Sequence, residues 1–186
     1  MLSNARVPVV GFAAFSGTGK TTLLRALLPL LTTRGLRVGM VKHAHHSFDI
    51  DQPGKDSYEL RKAGAAQMLV ASRQRWALMV ETGDGEPRLD ELLRYLDQST
   101  LDLVLVEGFK HERFAKIELH RPRLGHPLLC RDDPSIVAVA SDAPAPADVT
   151  LPWLDINQPG EVAGFILDAI VGQTLMSPDQ AGAHLK

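Results

Sequence analysis

One segment constrains the fold of this chain more than any other. The apolar run Val7 to Phe15 passes directly into Ser16-Gly17-Thr18-Gly19-Lys20-Thr21-Thr22, and a leucine stripe, Leu23, Leu24, Leu27, Leu28 and Leu31, follows at helical spacing. Strand, glycine-rich turn, helix is the context that a phosphate-binding loop requires. The glycines let successive amide N–H groups of residues 16 to 22 point inward as an anion nest, and the helix start adds its dipole. Lys20 is then placed to reach the β and γ phosphates of a nucleotide, and the Thr21 hydroxyl to ligate Mg²⁺. The usual pattern opens with a glycine where this chain has Ala14, a strand-end position that tolerates a small side chain.

The rest of the chain supplies partners for that unit. Val38 to Val41, Leu103 to Val106 and Ile136 to Ala140 are further short runs apolar on both faces, as strands of a parallel sheet covered on both sides are. Leu89 to Leu96 and Val162 to Ile170 carry helical stripes, and Pro29 predicts a kink in the first helix. The expected fold is α/β, a P-loop NTPase with a mostly parallel central sheet flanked by helices. Gln67 to Thr82 and Ala115 to His120 add alternating strands that read as antiparallel or edge positions. At 186 residues with 45% hydrophobic content, the expectation is one domain over residues 1–172 and a flexible tail over 173–186. With 20 basic against 22 acidic residues, the net charge of -2 argues against a nucleic-acid or membrane-surface binder. A lone Cys130 fits a reducing compartment. No apolar run is long enough to span a bilayer, and the N-terminus has no signal-peptide pattern, so the expected location is the cytoplasm.

Two further segments bear on chemistry. Glu107 closes the run Leu103 to Val106, where a carboxylate at the end of a neighbouring strand would hold Mg²⁺; the competing reading is a solvent-facing strand end. Asp102, before that strand, reads as a turn residue at the opposite end of the sheet. After the second strand, Lys42-His43-Ala44-His45-His46-Ser47-Phe48-Asp49-Ile50-Asp51 lies on the rim that carries the phosphate loop. Asp49 or Asp51 is a candidate to orient the attacking water or a water on Mg²⁺. The histidines match no established metal-ligand spacing, and a solvated polar loop is the alternative for the whole segment.

Taken in series, Ser16 to Thr22, Lys42-His43-x-His45-His46, Gly54-Lys55-Asp56-Ser57 to Ala65 and Val106-Glu107-Gly108-Phe109-Lys110 resemble the molybdopterin-guanine dinucleotide biosynthesis protein B family, MobB, from about Val7 to Ile170. The resemblance implies a GTP-binding P-loop protein with weak Mg²⁺-dependent GTPase activity. It also implies work alongside the molybdenum cofactor guanylyltransferase, with molybdopterin as a further candidate ligand, and a homodimer built by joining sheets. On it, Ser16, Gly17, Thr18, Gly19, Lys20, Thr21 and Thr22 form the GTP phosphate site and Thr21 with Glu107 the Mg²⁺ site.

Guanine selection has no ready motif, because no Asn-Lys-x-Asp occurs. Asp142, just after the strand Ile136 to Ala140, is placed to accept from guanine N1 and N2, unless it is only an exposed turn residue. A small-molecule kinase is the alternative function, with Arg121, Arg123 and Arg131 as a cationic lid. The apolar residues Met68, Val70, Trp76, Leu78 and Val80 in the strands of Gln67 to Val80 suggest an edge that pairs with a second copy.

Overall fold

In the computed structural model, residues 2–44, 48–83 and 85–172 are described. The elements in chain order are β1 (Val9–Ala14), α1 (Lys20–Thr32), β2 (Val38–Lys42), α2 (Asp56–Lys62), β3 (Gln67–Ala71), β4 (Trp76–Val80), α3 (Leu89–Leu92), β5 (Leu103–Glu107), β6 (Lys116–His120), β7 (Ile136–Ser141), β8 (Trp153–Asp155) and α4 (Pro159–Phe165), the last continuing as a wider π-type turn over Ile166–Val171. Where a single domain over 1–172 was expected, the chain divides into two compact units, one of Met1–His43 with Arg88–Lys186 and one of Ala44–Pro87. The expected tail 173–186 lies outside the described residues, as do His45 and His46.

The larger unit is built on a six-stranded sheet in the order β2-β5-β1-β6-β7-β8. Every pairing in it is parallel. Strands β1, β5 and β7 are apolar on both faces, as strands covered on both sides are. Val10, Phe12, Leu103, Leu105, Ile117 and Leu119 pack with Leu23, Leu24, Leu27 and Leu31 of α1 and with Val162, Ala163 and Ile166 on one side. Val9, Val104 and Val106 pack with Leu89 and Leu93 of the α3 region on the other. Helix α1 runs on past Pro29 to Thr32. The stripe Leu89 to Leu96 makes less helix than its spacing suggests: α3 stops at Leu92, a 3₁₀ turn covers Leu93–Tyr95, and Leu96 is extended.

The segment Ala115 to His120 corrects the expectation of an antiparallel or edge strand. β6 lies inside the sheet, parallel to β1 and β7. Its alternating Lys116 and Glu118 look like a wet face, yet each is 1% exposed. Their charges are answered internally: the Lys116 ammonium donates to the carbonyls of Lys110 and Glu112 and pairs with Asp133, and the Glu118 carboxylate accepts from the backbone N–H groups of Leu129 and Cys130.

The smaller unit contains α2 and the antiparallel pair β3–β4. Register Leu69↔Leu78 and Ala71↔Trp76 puts Leu69, Leu78 and Trp76 on one face. Met68 and Val70, read from sequence with Trp76 as one exposed set, occupy the opposite face. No helix among the described residues is long and apolar enough to cross a membrane.

Candidate functional site

β1, near the centre of the sheet, ends at Ala14 and delivers the chain to the phosphate loop. Gly17 (φ 79°) and Gly19 (φ 97°) both take the left-handed conformation that side chains disfavour. Between them Thr18, 2% exposed, donates its N–H and hydroxyl to the carbonyl of Phe15 at 3.4 and 2.8 Å, fixing the curl. Helix α1 starts on Gly19 with no side-chain cap and no acidic residue in its first turn. Its first amides have no partner within the helix, so the start of α1, with Lys20 as its first residue, is an electropositive seat.

The parallel register places Lys42 of β2 beside Glu107 of β5. The Glu107 carboxylate, 14% exposed, stands 4.0 Å from the Lys20 ammonium and 3.7 Å from that of Lys42. Its carboxylate is thus half-buried and flanked by two cations rather than turned out to solvent. Thr21 in the first turn of α1 and Glu107 are the hard oxygen donors that suit Mg²⁺. Beyond Glu107 the chain turns sharply: Gly108 (φ 101°) and Phe109 (φ 52°) are both left-handed, and the His43 ring stacks on Phe109 with centroids 4.7 Å apart. A Cβ on Gly108 would stand 2.6 Å from that of His43, so only glycine allows this approach.

On the other side of the loop, a cavity of about 340 Å³ is lined by Gly17, Thr18, Gly19 and Thr22 together with Arg121 and Asn157, among others. Arg121 crosses it with three hydrogen bonds: Nε to the Thr18 carbonyl (3.0 Å), Nη1 to Asp142 (2.6 Å) and Nη2 to Asn157 Oδ1 (3.0 Å). Asp142, the candidate base contact, is thus tied to the phosphate loop through one guanidinium. Arg131 pairs with Asp148 at 2.8 Å.

Asp49 and Asp51 belong to the smaller unit, where both face Arg61 at 2.6 and 3.6 Å. Arg61, with a side chain 7% exposed, also binds Glu81. The Arg61 hydrogen bond holds the Asp49 carboxyl below the usual carboxylate range, with the Asp51 backbone N–H adding to it. Among the described residues no group of three or more His, Cys, Asp or Glu side chains is gathered for a metal.

Sequence reading missed Lys42 beside Glu107, the span of Arg121, and Asn157. The first had a signal, since Lys42 closes an apolar run as Glu107 does. The other two did not: the partners of Arg121 are far from it in sequence, and β8 is three residues long, with no pattern to mark the second residue beyond it as a rim position.

The comparisons with known proteins agree with one another. The family model described as molybdopterin guanine dinucleotide synthesis protein B matches residues 9–142. The molybdopterin-guanine dinucleotide biosynthesis adapter protein of Escherichia coli (strain K12) is 55% identical over 170 residues, covering 90% of this chain and 96% of that protein. The protein of the same description from Haemophilus influenzae is 44% identical over 163 residues, 88% of this chain and 89% of that one. The crystal structure of the MobB protein homolog from Bacillus stearothermophilus matches with a TM-score of 0.64 at 26% identity, covering 89% of this chain and 98% of that chain.

Proposed function

The chain belongs to the molybdopterin guanine dinucleotide synthesis protein B family, and on that footing we propose that it is a GTP-binding adapter that assists the guanylyltransferase of molybdenum cofactor guanine dinucleotide synthesis in the cytoplasm. The observation that carries the nucleotide part is the loop of residues 16 to 22 opening uncapped onto α1, with Lys20 at the helix start and Glu107 within 4.0 Å of its ammonium. Lys20 binds the β and γ phosphates, the amides of residues 16 to 22 cradle them, and Asp142 takes the guanine edge. Thr21 and Glu107 hold Mg²⁺, which supplies charge neutralisation for the phosphates when bound.

Hydrolysis by such a site is slow. Arg121 is committed to Thr18, Asp142 and Asn157, and Asp49 and Asp51 are both turned to Arg61. A cation supplied in trans can be worth roughly 10³–10⁵ in rate, so slow isolated turnover suits a protein that presents GTP, or binds molybdopterin, for a partner enzyme. The kinase alternative loses two of its three lid arginines to ion pairs with Asp142 and Asp148. The hairpin face bearing Leu69, Leu78 and Trp76 is the surface for homodimerisation.

Calorimetric titration with GTP and Mg²⁺ tests the nucleotide part. Wild type binds; Lys20→Ala with an unchanged melting curve loses binding. Equal affinity in the two proteins would remove Lys20 and its loop from the site.

A further inference from the structure

We infer that Arg121, by the hydrogen bonds it donates, arranges Asp142 and Asn157 into a guanine-reading edge, with Arg121 as the positioning residue and Asn157 as a second base contact. This rests on the GTP reading above and names what selects the base.

The geometry starts from what a guanidinium can do. It has only donors, so each group it touches must turn an acceptor toward it. Asn157 therefore presents Oδ1 to Arg121 Nη2, at 3.0 Å, and this fixes which way round its amide lies. The donor end, Nδ2, is left for a ligand, and Asn157 lines the cavity beside the phosphate loop. Asp142 gives Oδ2 to Arg121 Nη1 at 2.6 Å, which leaves Oδ1 free to accept from a ligand. Both residues stand just past the carboxyl ends of adjacent parallel strands, β7 and β8, where ligands of open α/β sheets bind. The third bond, from Nε to the carbonyl of Thr18 at 3.0 Å, fixes the guanidinium against the loop that would hold the phosphates of the same nucleotide.

One fixed donor and one free acceptor match one base edge. Guanine offers an acceptor at O6 and donors at N1 and N2; Asn157 Nδ2 donates to O6 and Asp142 accepts from N1 and N2. Adenine has an amino group where guanine has O6 and an acceptor at N1, so it would set donor against donor and lone pair against carboxylate. Without Arg121 the amide of Asn157 is free to turn over, and its oxygen would suit the adenine amino group.

The test is a binding panel with GTP, ATP and xanthosine triphosphate on wild type, Arg121→Ala, Asn157→Ala and Asp142→Asn, each with a melting curve. Xanthine carries a carbonyl where guanine carries its 2-amino group. Wild type is expected to favour GTP over ATP by about tenfold or more, since mispaired polar groups are costly. Arg121→Ala should bring that ratio close to one, Asn157→Ala should lower it, and Asp142→Asn should transfer the preference to the xanthine nucleotide. A folded Arg121→Ala or Asn157→Ala protein that keeps the wild-type ratio, or an Asp142→Asn protein that still prefers GTP, would overturn the assignment. Wild type that binds GTP and ATP equally would end this inference and leave triphosphate binding standing; wild type that binds no triphosphate would end both.

Discussion

Glu107 holds its charge between two ammonium groups, Lys20 at 4.0 Å and Lys42 at 3.7 Å, and this sets what each partner can do. On the proposed function, a carboxylate that already neutralises the cations of the phosphate seat would restrain metal-free nucleotide binding. The same carboxylate would become useful when a divalent cation brings its own charge. Glu107→Gln is therefore expected to cut the gain in GTP affinity on adding Mg²⁺ by about tenfold, while affinity measured with a chelator present stays the same or rises. Equal losses with and without Mg²⁺ would make Glu107 a structural residue. The arginines behave differently from the lysines, because each is fixed by a planar set of hydrogen bonds: Arg61 joins Asp49 and Glu81 in the smaller unit, and Arg121 joins Thr18, Asp142 and Asn157 in the larger.

At the scale of elements, β6 shows how a polar pattern can lie inside a sheet. Lys116 is 1% exposed, and its ammonium meets Asp133 at 2.8 Å. Burial of Asp133 opposes its charge, but hydrogen bonds from Lys116 and Ser135 prevail and hold its carboxyl below the usual range. A carboxyl lowered in the folded state stabilises the fold above the ordinary aspartate value of about 3.9, and the gain is lost as pH falls through the lowered value. Asp133→Asn is expected to cost about 3 kcal/mol at neutral pH, at the lower end for a broken buried pair because Asp133 is 28% exposed. Melting temperatures measured against pH should show a constant gap from neutral to about pH 5 that closes below about pH 4; a gap that widens on acidification would contradict this. The same strand marks the limit of what was legible in the sequence. β1, β5 and β7 could be read because both their faces are apolar, and the phosphate loop because its chemistry is local. β6 read as an antiparallel or edge strand because the partners of Lys116 and Glu118 come from residues 110–133, which no periodicity connects to it. Asn157 was missed for the same reason: its role depends on where β8 ends in space, and that is set by pairing with β7.

The whole molecule combines a unit that carries the phosphate loop with a smaller unit rich in exposed apolar side chains. Trp76 and Leu69 are 65% and 61% exposed on the face they share with Leu78, more than an isolated hairpin should offer to water. We expect a second copy to cover that face. Light scattering at micromolar concentration should give twice the monomer mass, and Trp76→Glu should halve it; a monomer mass unaffected by dilution or by the substitution would contradict this. An adapter must act through its partner, so the most direct measurement of the account is the rate of guanine dinucleotide formation by the guanylyltransferase, with molybdenum cofactor and GTP supplied, as this protein is titrated in. The rate should rise with wild type and stay at the basal level with folded Lys20→Ala. A rise of equal size with both proteins would show that the phosphate loop has no part in the function.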